Sequence, residues 1–230
     1  MLIHLHPQNN FMKLNTVIFD IDGLLIDSEP LWCEAADEVL IDYNIKLTDQ
    51  QYISTTGLRT KEFVQSWFRY FKIDEVEVEK AEKKIIEIVL QKIKNDPIIM
   101  PGVAYIFDFF FKKNFKIGLA TSSPQALIDL VIDLLDIKNF VLATASAEDL
   151  AFGKPNPLVY LNCAEKLNAS PFECICFEDS FNGMIAAKAA RMKCVIVPTH
   201  AQLKEERWGA ADLKLSSLQN FGELHFTSLI

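Results

Sequence analysis

The sequence predicts an α/β protein: a doubly wound parallel sheet with a helical cap domain inserted after the first strand. Three observations carry this. Downstream of residue 103, short β-branched or aromatic runs alternate with longer stretches of helical apolar spacing, the rhythm of strands joined by right-handed crossovers. The run Thr16-Val17-Ile18-Phe19 has no polar-apolar alternation over its last three residues, as expected of a strand buried on both faces. Between that run and the next strand signal, helical spacing replaces strand texture from about 29 to 95.

The chain can be taken in order. Residues 1–11 have neither a basic start nor a continuous apolar stretch, so they read as a disordered leader rather than a signal peptide, with Met12 a candidate start. His4 and His6 fall in that polar leader and suggest no metal site. In the insertion, helices are expected over 31–43, 61–71 and 75–94, the last with Glu and Lys at helical spacing. The turn Thr55-Thr56-Gly57-Leu58-Arg59-Thr60 interrupts it and sets Arg59 near a helix start. Pro97, Pro101 and Gly102 mark the return crossing. Helices are then expected over 103–113, 124–135, 157–167 and 180–191, and strands over 115–120, 140–143, 174–177 and 193–197. A weaker strand near Leu213 and a helix from Ser216 close the chain. These boundaries give a core domain of 12–27 with 98–230 and a cap domain of 28–97.

Composition narrows the partners. Half of the 230 residues are apolar and 17 are Phe, enough for a well-filled core. A net charge of -8 argues against nucleic acid or an anionic membrane as partner, while leaving room for a phosphate met by local positive charge. No window approaches the ~18 consecutive apolar residues of a membrane span. The five cysteines are scattered without a Cys-x-x-Cys, the pattern of reduced thiols in a cytoplasmic protein, and Cys174 and Cys176 read as core packing.

Ligand sites in open α/β sheets lie at the carboxyl ends of the strands, and here each such end carries a polar group. The first strand runs into Asp20-Ile21-Asp22-Gly23, where Gly23 permits a tight turn that could aim amides at an anion. Alone, this tetrapeptide is equally a turn, an N-cap or a fragment of a calcium loop. The second strand ends in Thr121-Ser122-Ser123 ahead of a helix, a place where a hydroxyl and helix amides can hold phosphate oxygens. Lys154 lies in a Pro-stiffened loop before another helix, and a later strand ends in Glu178-Asp179-Ser180. Carboxylates gathered at one sheet edge repel unless a divalent cation sits among them, and hard oxygen donors without clustered His or Cys select Mg²⁺.

Asp20-Ile21-Asp22-Gly23, Thr121, Lys154 and Glu178-Asp179, in this order and with a helical insertion after the first, resemble the four motifs of the haloacid dehalogenase superfamily. The likeness runs from about Val17 to Val197. The segment from Asp22 to Pro30, the Thr56-Gly57-Leu58-Arg59 turn and Glu178-Asp179-Ser180-Phe181-Asn182-Gly183 resemble its β-phosphoglucomutase-like branch, closest to the sugar-phosphate phosphatases acting on 2-deoxyglucose 6-phosphate and hexitol phosphates. The resemblance implies a Mg²⁺-dependent, monomeric, cytoplasmic phosphatase of small phosphate esters. It makes Asp20 the nucleophile that forms an aspartyl phosphate and Asp22 the general acid and base. Asp20, the Asp22 carbonyl and Asp179 would hold the metal, with Glu178 at or near it; Thr121, Ser122, Gly23 and Lys154 would bind the phosphoryl group. Arg59 is the cap residue expected to read the substrate, while Asn182 and Gly183 are expected to shape the loop and helix start.

Departures from the family's mutases favour hydrolysis. Where those enzymes carry a cap His this chain has Trp32, their cap Arg is displaced relative to Arg59, and Pro124-Gln125 replaces a Lys-Asn pair. A dehalogenase has no use for a metal or for the Asp22 acid, and no cap Lys stands out for phosphonate chemistry. A response-regulator receiver needs neither cap nor Asp22. A sugar-phosphate sensor on the same fold would have no reason to keep every catalytic group.

Overall fold

The computed structural model describes residues 13–230; the expected leader, its two histidines and Met12 lie outside them. Among the described residues, six strands form one sheet: β1 (Thr16–Phe19), β2 (Lys116–Thr121), β3 (Val141–Ser146), β4 (Cys174–Glu178), β5 (Lys193–Ile196) and β6 (Leu213–Lys214). Their order is β3-β2-β1-β4-β5-β6, and every pair is parallel. The chain winds outward from β1 in one direction and then, from β4, in the other, so the topological switch lies beside β1.

The first strand is buried on both faces. Val17 and Phe19 pack into one apolar cluster and Ile18 into the other, each fully buried. The first cluster is aromatic: Phe19 stacks on Phe107 of α5 (Val103–Lys112) at 4.9 Å and meets Phe177 at 5.1 Å between ring centroids. The second is built of small residues and thiols under α7 (Leu158–Lys166) and α8 (Phe181–Ala189), with Cys163, Cys174, Cys176 and Cys194 all free and buried. Burial pushes the Cys163 and Cys174 thiols up to about 12, so they pack as neutral apolar groups.

Between β1 and α5 stand four helices, α1 (Glu29–Leu40), α2 (Asp49–Thr55), α3 (Thr60–Phe71) and α4 (Val78–Asn95). The two chain crossings pair with each other: Asp27 N donates to Ile98 O at 2.8 Å and Met100 N to Leu25 O at 3.0 Å. Helix α2 has no apolar face to announce it; its residues are all partly or fully exposed, and it starts on a capping box between Thr48 and Gln51. Downstream, β3 reaches Ser146, three residues past the expected end, because pairing with β2 carries the polar Thr144 and Ser146 into the ladder. The helix expected from Ser216 is a short 3₁₀ turn, Leu218–Asn220, followed by α9 (Glu223–Leu229), with Gly222 between them. The remaining helix, α6 (Gln125–Leu135), follows β2.

Candidate active site

Register brings the predicted acids to one edge. Phe19 pairs with Leu119 and Phe177, so Asp20 emerges level with Ala120 and Glu178, one residue short of Thr121. After Asp20 the chain folds into a compact turn in which Leu25 N donates to Ile21 O at 2.9 Å and Gly23 N to Ile26 O at 2.9 Å. Gly23 has φ +73°, and a Cβ there would lie 2.2 Å from Asp179 Oδ2, so the turn sits directly against the second acidic pair. The Gly23 amide itself closes the turn. The amides of Ile21 and Asp22 have no partner among the described residues.

The base of the site is a buried ionic knot. Lys154, 2% exposed, donates to Asp20 Oδ1 at 2.5 Å, Glu178 Oε1 at 2.6 Å and Ala120 O at 3.2 Å, with its ammonium 4.9 Å from the Tyr160 ring centre. Burial works against the charge on Lys154, yet Asp20 and Glu178 hold its ammonium above the ordinary lysine value. Glu178 is saturated: Tyr160 OH also donates to Oε1, while the amides of Asp179 and Ser180 and the Ser180 hydroxyl donate to Oε2. Gly183 makes this possible, since a Cβ there would fall 1.8 Å from Glu178 Oε1. Tyr160 carries no sequence signal and was not anticipated.

Asp20 and Asp179 are left short of donors. Among the described residues no protein donor reaches Asp20 Oδ2 or either Asp179 oxygen. Burial pushes both carboxyls well above the usual range; Asp20 is raised further by Glu178 and Asp22 against the pull of Lys154, and Asp179 by Glu178 and Asp20. Asp20, Glu178 and Asp179 each present an oxygen within 4.8 Å of the others. This all-carboxylate set suits a hard divalent cation, which would relieve the strain that burial imposes. With Glu178 occupied by five donors, Asp20 and Asp179 are the oxygens free to take it.

Asp22 is held differently, by four donors from two segments. Ser28 Oγ and Trp32 Nε1 donate to Oδ1 at 2.7 and 2.8 Å; Ser123 Oγ and Thr121 Oγ1 donate to Oδ2 at 2.7 and 3.3 Å. Ser28 and Trp32 are one helical turn apart on α1, a spacing visible in the sequence though its target was not. Hydroxyls can turn and accept, whereas an indole N–H only donates. Oδ1 is therefore fixed as an acceptor, and Oδ2 is the atom at which this carboxyl can carry a proton.

The cleft above these groups is roofed by the inserted helices. Trp32, Cys33, Tyr52, Thr56, Phe63 and Ile85 line it from that side, with Glu29 at the junction. Burial, with Glu29 next, pushes the Cys33 thiol up to about 12, so it lines the cleft as a neutral group. The Glu29 carboxyl is pushed up to about 7 by burial and by Asp22, and its one side-chain partner is Thr56 Oγ1 at 3.5 Å. Two predicted residues turn from substrate to the closure itself. Ser122 lines the cleft, but its hydroxyl donates to Gly57 O at 2.8 Å. Arg59 does not line the cleft: its guanidinium points into the seam, donating to Ala147 O and Leu150 O and pairing with Glu62 at 2.6 Å. Its position at the head of α3 was legible; the carbonyls that draw it away lie about ninety residues on.

Residues 17–197 match the haloacid dehalogenase-like hydrolase family. Hexitol phosphatase B of Escherichia coli (strain K12) is 37% identical over 207 residues, 90% of this chain and 93% of that protein. The phosphorylated carbohydrates phosphatase of Thermotoga maritima is 30% identical over 192 residues, covering 82% and 87%. Among solved structures, a β-phosphoglucomutase from Clostridium difficile shares the fold with a TM-score of 0.83, at 24% identity over 94% of this chain and 96% of that one. The chain belongs to the haloacid dehalogenase-like hydrolases. Within that class it is a phosphoric monoester hydrolase.

Proposed function

We propose that the protein is a Mg²⁺-dependent phosphatase of uncharged sugar or hexitol monophosphates, working through an aspartyl phosphate on Asp20. The observation that carries the substrate class is the charge of the cleft: among the described lining residues Lys154 is the sole cation, and it sits at the phosphoryl end. The leaving-group end offers Glu29, the hydroxyl-bearing Thr55 and Thr56, and the apolar faces of Trp32, Phe63 and Ile85. A second phosphate or a carboxylate on the leaving group would meet a carboxylate and no counter-charge, whereas polyol hydroxyls would meet acceptors. The relatives named for hexitol and carbohydrate phosphates support the same class.

The Asp20 carboxylate attacks phosphorus in line while Lys154, Thr121 and the amides of Ile21 and Asp22 take the phosphoryl oxygens. Asp22 gives the proton on Oδ2 to the departing alkoxide, which leaves as the free alcohol. The resulting carboxylate then takes a proton from the water that opens the aspartyl phosphate, releasing phosphate and restoring both acids. Mg²⁺ held by Asp20, Asp179 and the Asp22 carbonyl would offset repulsion between Asp20 and a dianionic phosphate. Residues 28–97 act in this reading as a cap that shuts water out during transfer. The working protein is a monomer of the cytoplasm.

The test is phosphate release with Mg²⁺ or EDTA across hexose, deoxyhexose and hexitol monophosphates, a sugar bisphosphate and a phosphorylated hydroxy acid. Metal-dependent release concentrated on the uncharged polyols is expected. Preference for the doubly anionic esters overturns the substrate class, and conversion of β-glucose 1-phosphate to glucose 6-phosphate without release overturns hydrolysis.

A further inference from the structure

The hydrogen bonds across the roof of the cleft converge on one turn. Asn182 Nδ2 donates to Thr56 O at 2.8 Å and Ser122 to Gly57 O, on either side of the sheet edge. The third attachment is larger and ends beside the catalytic lysine. Arg59 Nη1 donates to Leu150 O at 2.6 Å and Ala147 O at 3.2 Å; Nη2 pairs with Glu62 Oε1, and that same oxygen accepts from Gly153 N at 3.0 Å. Arg59 is 9% exposed, and its Nε is buried without a partner, so the guanidinium is committed to this seam and not to solvent. The fit is close, since a Cβ on Gly153 would lie 2.5 Å from Glu62 Oε2 and 2.9 Å from Arg59 Cγ.

We propose that Arg59 and Glu62 are positioning residues that tie the grip of Lys154 on the transferring phosphoryl group to closure of the cap. Gly153 is the residue before Lys154, and the segment 147–153 that the pair holds has no helix or strand of its own. Its core tethers gather at its start, where Ala147 N donates to Thr121 O, Glu148 N to Ser146 Oγ and Gln125 N to Glu148 Oε2; beyond them the next is Asn156 N to Gly153 O, just past the other end. Arg59 fixes two carbonyls of this segment and Glu62 fixes the amide next to the lysine, so the segment's conformation is completed from the cap. With the roof lifted, two carbonyls and one amide lose their partners together. Arg59 spreads these partners over two nitrogens, Nη1 to the carbonyls and Nη2 to the carboxylate, a span that a single ammonium does not reproduce, which separates Arg from Lys at this position. This inference rests on the role given to Lys154 above.

The experiment compares wild type, Arg59→Lys, Arg59→Ala and Glu62→Gln on p-nitrophenyl phosphate and a hexitol phosphate, recording kcat, KM, inhibition by inorganic phosphate, and Tm. Because the defect would lie in placing Lys154, kcat should fall on both esters by a similar factor, on the order of 10-fold to 10²-fold. Phosphate inhibition should weaken in parallel, KM for the hexitol ester should stay within about threefold, and Arg59→Lys should rescue little. Millimolar guanidinium should restore part of the Arg59→Ala loss. A loss confined to KM for the hexitol ester would show Arg59 reading substrate, and unchanged kcat in a folded Glu62→Gln would sink the coupling even if both Arg59 variants misfold. Failure of the underlying reading is distinguishable: there, wild type releases no phosphate or Lys154→Met keeps its activity.

Discussion

The two walls of the cleft are built on opposite principles. On the core wall the charges are held at close range, with Asp179 alone left wholly for a cation: Lys154 bridges Asp20 and Glu178, Glu178 accepts five hydrogen bonds, and Asp22 accepts four. On the cap wall the one acid among the described lining residues, Glu29, has a single distant hydroxyl partner there, and the wall around it is threonine, aromatic and aliphatic without a cation. The first arrangement is what a fixed reaction demands, because groups that stabilise a transferring phosphoryl must be preorganised. The second leaves polar capacity for a leaving group to satisfy.

The contrast is broken most completely from the core side. Asp20→Asn should lower turnover of every phosphomonoester by on the order of 10⁴-fold or more, since an amide cannot serve as the nucleophile. The fold should survive, because Lys154 keeps Glu178; retained turnover would remove Asp20 from its role. Lys154→Met should come next, with kcat down by about 10²–10³-fold. It should also destabilise the protein by about 3–5 kcal/mol in denaturant titrations, because Asp20 and Glu178 would remain buried without their cation. An equal loss of stability in Asp20→Asn would show that the lysine's worth lies in one partner alone.

The core wall was largely legible in the sequence because strand ends are fixed by register. Once Val17-Ile18-Phe19 is a central strand, Asp20, Thr121 and Glu178 must share its edge. The cap wall was not, since its geometry depends on how helices pack over a sheet that is distant in sequence. Arg59 was placed correctly at a helix start, yet its direction is set by carbonyls at Ala147 and Leu150. Helix α2 escaped notice for the same kind of reason: with no buried side chain it has no apolar period, and only the Thr48-x-x-Gln51 capping box marks it. Trp32 was read as an absence, the missing histidine of a mutase, although its spacing from Ser28 put both on one face of α1. That face is where the two walls meet.

Trp32→Phe therefore sharpens the comparison. It keeps the apolar surface of the roof and deletes the donor-only partner of Asp22 Oδ1, leaving the Ser28 hydroxyl. Loss of a hydrogen bond to a charged group, ~1.5 kcal/mol or more, corresponds to roughly tenfold in rate. The expected result is a lower kcat on aryl and hexitol phosphates alike. A change restricted to KM for the hexitol ester would assign Trp32 to the cap wall alone.

The smallest expected effect is that of Glu29, and it is the one that reads the cap wall directly. Its carboxyl is raised from 4.5 to about 7, first by burial and then by Asp22. Below that value it is neutral; above it, it is a carboxylate able to accept charge-assisted hydrogen bonds from polyol hydroxyls. The KM for a hexitol phosphate, taken relative to that for p-nitrophenyl phosphate to cancel ionisation of the ester, should fall severalfold between pH 6 and 8. Glu29→Gln should flatten that ratio. Stability should move the other way: a raised folded-state value favours the protonated form, so this contribution is complete below 4.5 and is lost as pH rises to about 7, a difference of about 3 kcal/mol. Glu29→Gln should thus gain Tm on wild type from pH 5 to pH 8. If the KM ratio flattens but the Tm difference does not grow, the acid reads substrate without being strained by its burial. The reverse result would make it a strained wall residue that the substrate never meets.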